Sequence, residues 1–167
     1  QNRHLEVLHA NQLGFALYSE AFRDARRPAN LGRFVFLESR ATDFYLDWEN
    51  VASDVVALLR AEAGRDPYDR ALSDLIGELS MRSQEFRVRW AAHNVRSHRT
   101  GVKRFHHPVV GDLTLAYEAL ELPGDTGQTI FAYIAEPNSP SHDALQLLAS
   151  WTSTADHVSV VHGDESP

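Results

Sequence analysis

The sequence predicts an α+β domain in which helices cover one face of an antiparallel sheet. Three observations carry this. Val51, Val55, Leu58 and Leu59, then Leu72, Leu75, Ile76 and Leu79, recur at the 3.6-residue spacing of amphipathic helices. After His93 the period changes: Val102 to His107, Leu113 to Leu122 and Thr129 to Ala135 read as strands, with Leu113, Leu115 and Tyr117 alternating onto one face. The run Pro123-Gly124-Asp125-Thr126-Gly127 supplies the turn that closes a hairpin between the last two.

In chain order, Leu5 to His9 reads as a first strand with Leu5 and Val7 on one face, and Leu13 to Phe22 as a short helix. Arg26-Arg27-Pro28-Ala29-Asn30 interrupts it, and Leu31 to Leu46 suits two short helical pieces broken near Glu38-Ser39. The helix through Val51 to Leu59 ends by Gly64. Asp66 followed by Pro67 reads as an N-cap with proline at the first helical position. Ser83 caps the next helix, on which Phe86, Trp90 and His93 fall at i, i+4 and i+7 on a face we expect to turn toward the sheet. Ser139 and Pro140 open a final helix that buries Leu145 and Leu148. Beyond Trp151 the chain is largely polar, apart from Val158 to Val161. The expected organisation is therefore one domain over residues 1–151 and a flexible tail over 152–167.

A chain of 167 residues is most simply one domain and can bury roughly 70% of its unfolded surface. The absence of cysteine removes disulfides, thiolate nucleophiles and cysteine-ligated metal sites, and is compatible with a reducing compartment. No stretch approaches the length of a membrane span and no signal peptide stands at the front, so a soluble, cytoplasmic protein with no membrane partner is expected. Sixteen Lys and Arg against twenty-three Asp and Glu leave a net charge of -7, which repels a phosphate backbone. The chain starts at Gln1 without an initiator Met and reads as a fragment cut just upstream of a strand.

Ser83-Gln84-Glu85-Phe86-Arg87-Val88-Arg89-Trp90-Ala91-Ala92-His93-Asn94-Val95 is followed by His107-Pro108-Val109-Val110-Gly111-Asp112-Leu113-Thr114-Leu115-Ala116-Tyr117-Glu118. Ala135-Glu136-Pro137-Asn138-Ser139-Pro140-Ser141 lies downstream and Asn2-Arg3-His4-Leu5-Glu6-Val7-Leu8 at the front. Together these ordered motifs resemble the MmyB-like ligand-binding domain of bacterial transcription regulators, over about Asn2 to Ser150. The chain departs at His9 and Ala10, where the family often has a small residue and Trp, and at Asn138, where Gly is usual. Asn tolerates the left-handed backbone such a position demands. The resemblance implies a PAS-like fold that holds ligands between sheet and helices, and an Xre-type helix-turn-helix module preceding it. DNA would be reached only through that N-terminal domain, absent from this fragment.

Phe86, Trp90, Tyr117, Phe131 and Tyr133 are candidates to line an apolar ligand pocket, and equally candidates for plain core. The two tyrosines are the more telling, because a buried phenol needs a hydrogen-bond partner that a ligand carboxylate or hydroxyl can supply. Arg87, Arg89 and His93 are candidates to neutralise an acidic head group, although most surface arginines only snorkel. Arg87 and Arg89 point about 200 degrees apart on a helix, so at most one faces a pocket. His106 and His107 are adjacent on a strand and point to opposite faces, so they do not share a metal ion, and no metal or other cofactor is expected.

No Gly-x-Ser-x-Gly elbow, glycine-rich phosphate loop or singled-out carboxylate pair is present, and no enzyme is expected. The expected function is that of a sensor domain binding a small apolar or amphipathic molecule, with a fatty acid implied by the resemblance alone. The alternative is a dimerisation or protein-interaction module, possible as a homodimer, whose core is filled by its own side chains.

Overall fold

The computed structural model describes residues 1–23, 28–92, 100–124 and 127–161, with side chains as far as Thr152. The helical layer consists of α1 (Gln12–Leu17), α2 (Ser19–Phe22), α3 (Leu31–Leu37), α4 (Arg40–Phe44), α5 (Trp48–Arg65), α6 (Arg70–Arg82) and α7 (Gln84–Ala91). The strands β1 (Thr100–His107), β2 (Gly111–Glu121) and β3 (Thr129–Ile134) follow, and α8 (Pro140–Val161) closes the described chain. The sheet is antiparallel in the order β1-β2-β3. The α+β class read from the sequence is thus the fold observed.

Side-chain caps start five of the helices. The side chains of Asn11, Asn30, Asp69, Ser83 and Ser139 accept from the backbone N–H of Gly14, Arg33, Leu72, Phe86 and His142. Ser83 and Ser139 are the expected caps, whereas Asp66-Pro67 is not. Asp66 Oδ1 accepts from Tyr68 N at 3.2 Å and its carbonyl from Asp69 N, so the pair is spent on a turn and Asp69 caps α6 instead. The expected single helix over Leu13 to Phe22 is two, broken at Tyr18 (φ -97, ψ 23). The break expected near Glu38-Ser39 is present. At the other end, α8 continues past Trp151 to Val161, because no glycine or proline after Pro140 interrupts its hydrogen-bond ladder.

The expected first strand, Leu5 to His9, is a correction. Asn2 Oδ1 accepts from both His4 N and Glu6 N at 3.0 Å, and Leu5 stands at φ 62, which breaks extended geometry at its first residue. What remains is one bridge, Glu6 with Asn30, flanked by Val7 N donating to Ala29 O and Leu31 N to Leu5 O. Gln1 instead reaches the sheet, exchanging two backbone hydrogen bonds with Thr129. The other edge is also occupied: Tyr45 bridges Phe105, Leu46 N donates to Arg104 O, and Arg104 forks onto the Asp47 carboxylate.

Residues 101, 103, 105 and 107 of β1 face the helices together with Leu113, Leu115 and Tyr117 of β2 and Phe131 and Tyr133 of β3. The far half of this face is sealed: Phe105, Leu113 and Leu115 are fully buried, and Phe105 packs against Tyr18, Phe44 and Tyr45. His107 belongs to the same half. Its Nε2–H donates to Ala16 O at 2.9 Å and its Nδ1 accepts from Val109 N, which satisfies a buried imidazole in one tautomer. His106 points outward to Asp112, as alternation requires. Because β3 covers only Ala116 to Glu121 of β2, the Thr114 N–H is left open, and Ser141 at the start of α8 accepts it at 2.9 Å. Asn138 at φ 59 makes the turn into α8, as its tolerance of the left-handed region predicts.

Candidate functional site

The open half of the inner face carries the polar chemistry. Gly101 pairs with Tyr117 across the ladder, and a side chain at Gly101 would lie 3.0 Å from Tyr117 Cε1, so the glycine is what lets that ring lie against β1. Tyr117 and Tyr133 face each other in register and Phe131 lies beside them, with ring centres 6.2 Å and 6.3 Å from Tyr117. Lys103, half-buried on the same face, holds its Nζ 5.0 Å from the centre of Tyr117, 5.6 Å from Phe131 and 5.9 Å from Tyr133. Among the described residues no carboxylate forms an ion pair with it.

Tyr133 also joins this cluster to a second one. Its hydroxyl is 2.5 Å from that of Tyr18, and the Tyr45 phenol lies near enough to both to act on them electrostatically. Burial raises the phenol pKa of both Tyr18 and Tyr45 well above the ordinary value; the Tyr133 phenol adds to the rise at both, whereas Tyr18 acts the other way on Tyr45. Tyr117 is raised too, first by burial and then by the carboxylate charge of Asp54 on α5. These three phenols are therefore neutral hydrogen-bonding groups at neutral pH. Neutral hydroxyls beside an apolar core give an entering polar group something to bond without an unpaired charge.

The seven residues expected from the sequence divide. Tyr117, Phe131 and Tyr133 come together on the sheet. Phe86 and Trp90 do not join them, and the face expected to meet the sheet packs instead in the helical layer, because α7 lies against α5 and α6. Phe86 is fully buried edge-on to Phe36, and Trp90 stacks on Phe86 with the Arg60 guanidinium 4.7 Å from its own centre. Arg87 is exposed and donates to Ser80 O. Arg89 is held by Glu49 and Glu85. Neither arginine faces the sheet aromatics. His93 lies outside the described residues.

A recess of about 420 Å³ opens elsewhere, between Phe36, Trp48 and Ser83, but Glu38, Glu49 and Glu85 line it and suit it poorly to an anion. No group of three metal-ligating side chains is present among the described residues, and none of their helices is long and apolar enough to cross a membrane.

Sequence reading missed Lys103, Tyr18, Tyr45 and Gly101. Lys103 was findable, since alternation puts it on one face with Phe105 and His107, where a lysine is out of place. Tyr18 and Tyr45 gave no local signal, because only tertiary packing brings the Tyr18 hydroxyl to that of Tyr133 and the Tyr45 phenol near them.

An antiparallel sheet with one aromatic, partly polar face turned toward a helical layer defines a mixed domain suited to holding a small molecule. The chain belongs to the MmyB-like transcription regulator ligand-binding domain family, whose model matches residues 1–148. It is thus a ligand-binding domain of the transcription-regulator type. Comparison with curated proteins finds no match.

Proposed function

We propose that the domain senses a small amphipathic molecule, such as a fatty acid, held between the inner sheet face and the helices in a PAS-like manner. The observation that carries this is the gathering of Tyr117, Phe131 and Tyr133 around one lysine, on the face of the sheet turned to the helices. Of the residues first expected at the site, these three aromatics are the ligand contacts in this reading, while Phe86, Trp90 and Arg87 support the helical layer. The role is binding rather than catalysis, exerted by a cytoplasmic regulator on DNA through a helix-turn-helix module. A ligand preferring one conformation shifts the equilibrium between regulator states by its differential affinity.

Denaturing extraction of the purified protein followed by mass spectrometry tests this. A stoichiometric amphiphile supports the reading, and clean extracts from several expression hosts, with no thermal shift from added amphiphiles, would sink it. The domain boundary near Trp151 belongs to the same reading, and a chain truncated after it is expected to bind as the longer one does.

A second reading has its own observation. On the outer face of the sheet Val102, Leu120, Ile130 and Ile134 are 61%, 52%, 50% and 56% exposed, and the register places Val102 and Ile134 on either side of Ala116 and Leu120 opposite Ile130. Such a stripe favours a homodimer or another protein partner. Light scattering on the parent and on a Leu120→Lys, Ile130→Lys variant distinguishes them: a dimer lost in the variant supports this use of the outer face.

A further inference from the structure

We propose that Lys103 is the anchor for an anionic oxygen group on the ligand, so that the domain selects anionic amphiphiles over neutral ones of the same chain length. The inference rests on the sensing reading above and deepens it.

Lysine is among the residues least often buried without a partner, yet this one stands between Gly101 and Phe105 on the strand face turned to the core. The described structure gives its ammonium three ring faces and no carboxylate. Ring faces hold a cation by their quadrupole but accept none of its three N–H donors as an oxygen would. The site therefore has a localised positive charge, unspent donors and an apolar surround, which is what one anionic oxygen group at the end of a hydrocarbon chain requires. The arginines that sequence reading offered for this task are engaged elsewhere: Arg89 with Glu49 and Glu85, and Arg87 outward with Ser80. Tyr133 extends the site, because its ring flanks Lys103 while its hydroxyl bonds Tyr18. The apolar chain of the ligand then runs along Phe131 and Tyr117.

Lysine is a point charge and does not impose the planar geometry of a carboxylate. A carboxylate and a phosphate monoester are therefore alike to it, and the test carries both. Delipidated protein is titrated with decanoate, decyl phosphate, decan-1-ol and decylammonium, following near-ultraviolet circular dichroism and melting temperature. The parent is expected to bind at least one of the two anions about tenfold or more tightly than decan-1-ol, the worth of one charge-assisted hydrogen bond, and the tighter anion names the source. Lys103→Met keeps an apolar stem and is expected to erase that preference while leaving decan-1-ol binding in place. Lys103→Arg is expected to restore most of it, and Lys103→Gln serves as a second neutral variant if Met perturbs folding. A folded Lys103→Met that binds the anions as tightly as the parent overturns the anchor alone. Decylammonium binding more tightly than either anion to the parent also overturns it, and shows a cage for a ligand cation. If the parent binds none of the four, the sensing reading falls and the anchor with it.

Discussion

Tyr18 Oη and Tyr133 Oη lie 2.5 Å apart and tie the break between α1 and α2 to the last strand of the sheet. Tyr18 is buried, so its hydroxyl depends on that of Tyr133. Tyr133→Phe leaves the buried Tyr18 hydroxyl without that partner and is expected to cost about 1 to 3 kcal/mol in urea unfolding. Removing both leaves apolar groups of nearly the same shape. The Tyr18→Phe, Tyr133→Phe double variant is therefore expected to lose less than the sum of the two single losses. Strict additivity in that cycle would mean that the hydroxyls do not interact.

The same phenols predict an alkaline limit. Tyr18, Tyr45 and Tyr117 all have folded-state pKa values raised, chiefly by burial, so each holds its proton more firmly folded than unfolded. A raised pKa contributes stability that is fully present below the unfolded value, near pH 10, and is lost as pH rises from there toward the folded value. Ultraviolet difference absorbance is expected to show tyrosinate forming at these positions only together with unfolding, above about pH 10. Reversible ionisation of all five tyrosines at ordinary pH with the fold intact would contradict this.

At the acid end the sign reverses. The His4 imidazole at 2.7 Å, followed by the Leu72 N–H, holds Asp69 below the usual carboxylate range. Asp47 is lowered by Arg104. Depressed carboxylates contribute stability that is present above the unfolded value, about pH 4, and is lost as pH falls through the folded one. Asp69→Asn keeps an oxygen for the cap and is expected to flatten part of the decline below about pH 4. Asp69→Ala removes the cap as well and is expected to cost about 1 kcal/mol at neutrality.

Phe86 and Trp90 stack, yet their burial differs: Phe86 is fully enclosed and Trp90 half-exposed beneath Arg60. Phe86→Ala is expected to cost about 3 to 5 kcal/mol and Trp90→Ala clearly less. Since α7 packs on α5 and α6, a folded Trp90→Ala protein is expected to keep the parent's affinity for amphiphiles. A large loss of affinity at little cost in stability would return Trp90 to the ligand face.

Gly101→Ala tests the seat of Tyr117. A methyl group there meets the ring at 3.0 Å, so the ring must move while the backbone of β1, not at positive φ here, need not. Overpacking of this kind typically costs about 1 to 3 kcal/mol. The expected readout is a changed aromatic circular-dichroism band with far-ultraviolet signal retained.

Periodicity and turn chemistry were enough to determine the α+β class, the strand hairpins, the Ser83 and Ser139 starts and the outward turn of His106, because each depends on residues within a few positions of one another. The family signature was likewise readable as a string of ordered motifs over most of the chain. The first strand failed for a local reason that hydrophobic alternation hides: Asn2 draws the backbone of His4 and Glu6 into a turn and Leu5 takes a left-handed conformation. The site was only half legible. Alternation placed Tyr117, Phe131 and Tyr133 on one face, but the helical line of Phe86 and Trp90 says only that a face is buried, never against what. Packing decided that, putting α7 against helices rather than sheet. It also brought Tyr18 onto the hydroxyl of Tyr133, with Tyr45 nearby, and set Lys103 among three rings. Contacts between residues far apart in the chain leave no period behind them, which is why tertiary structure alone could reveal them.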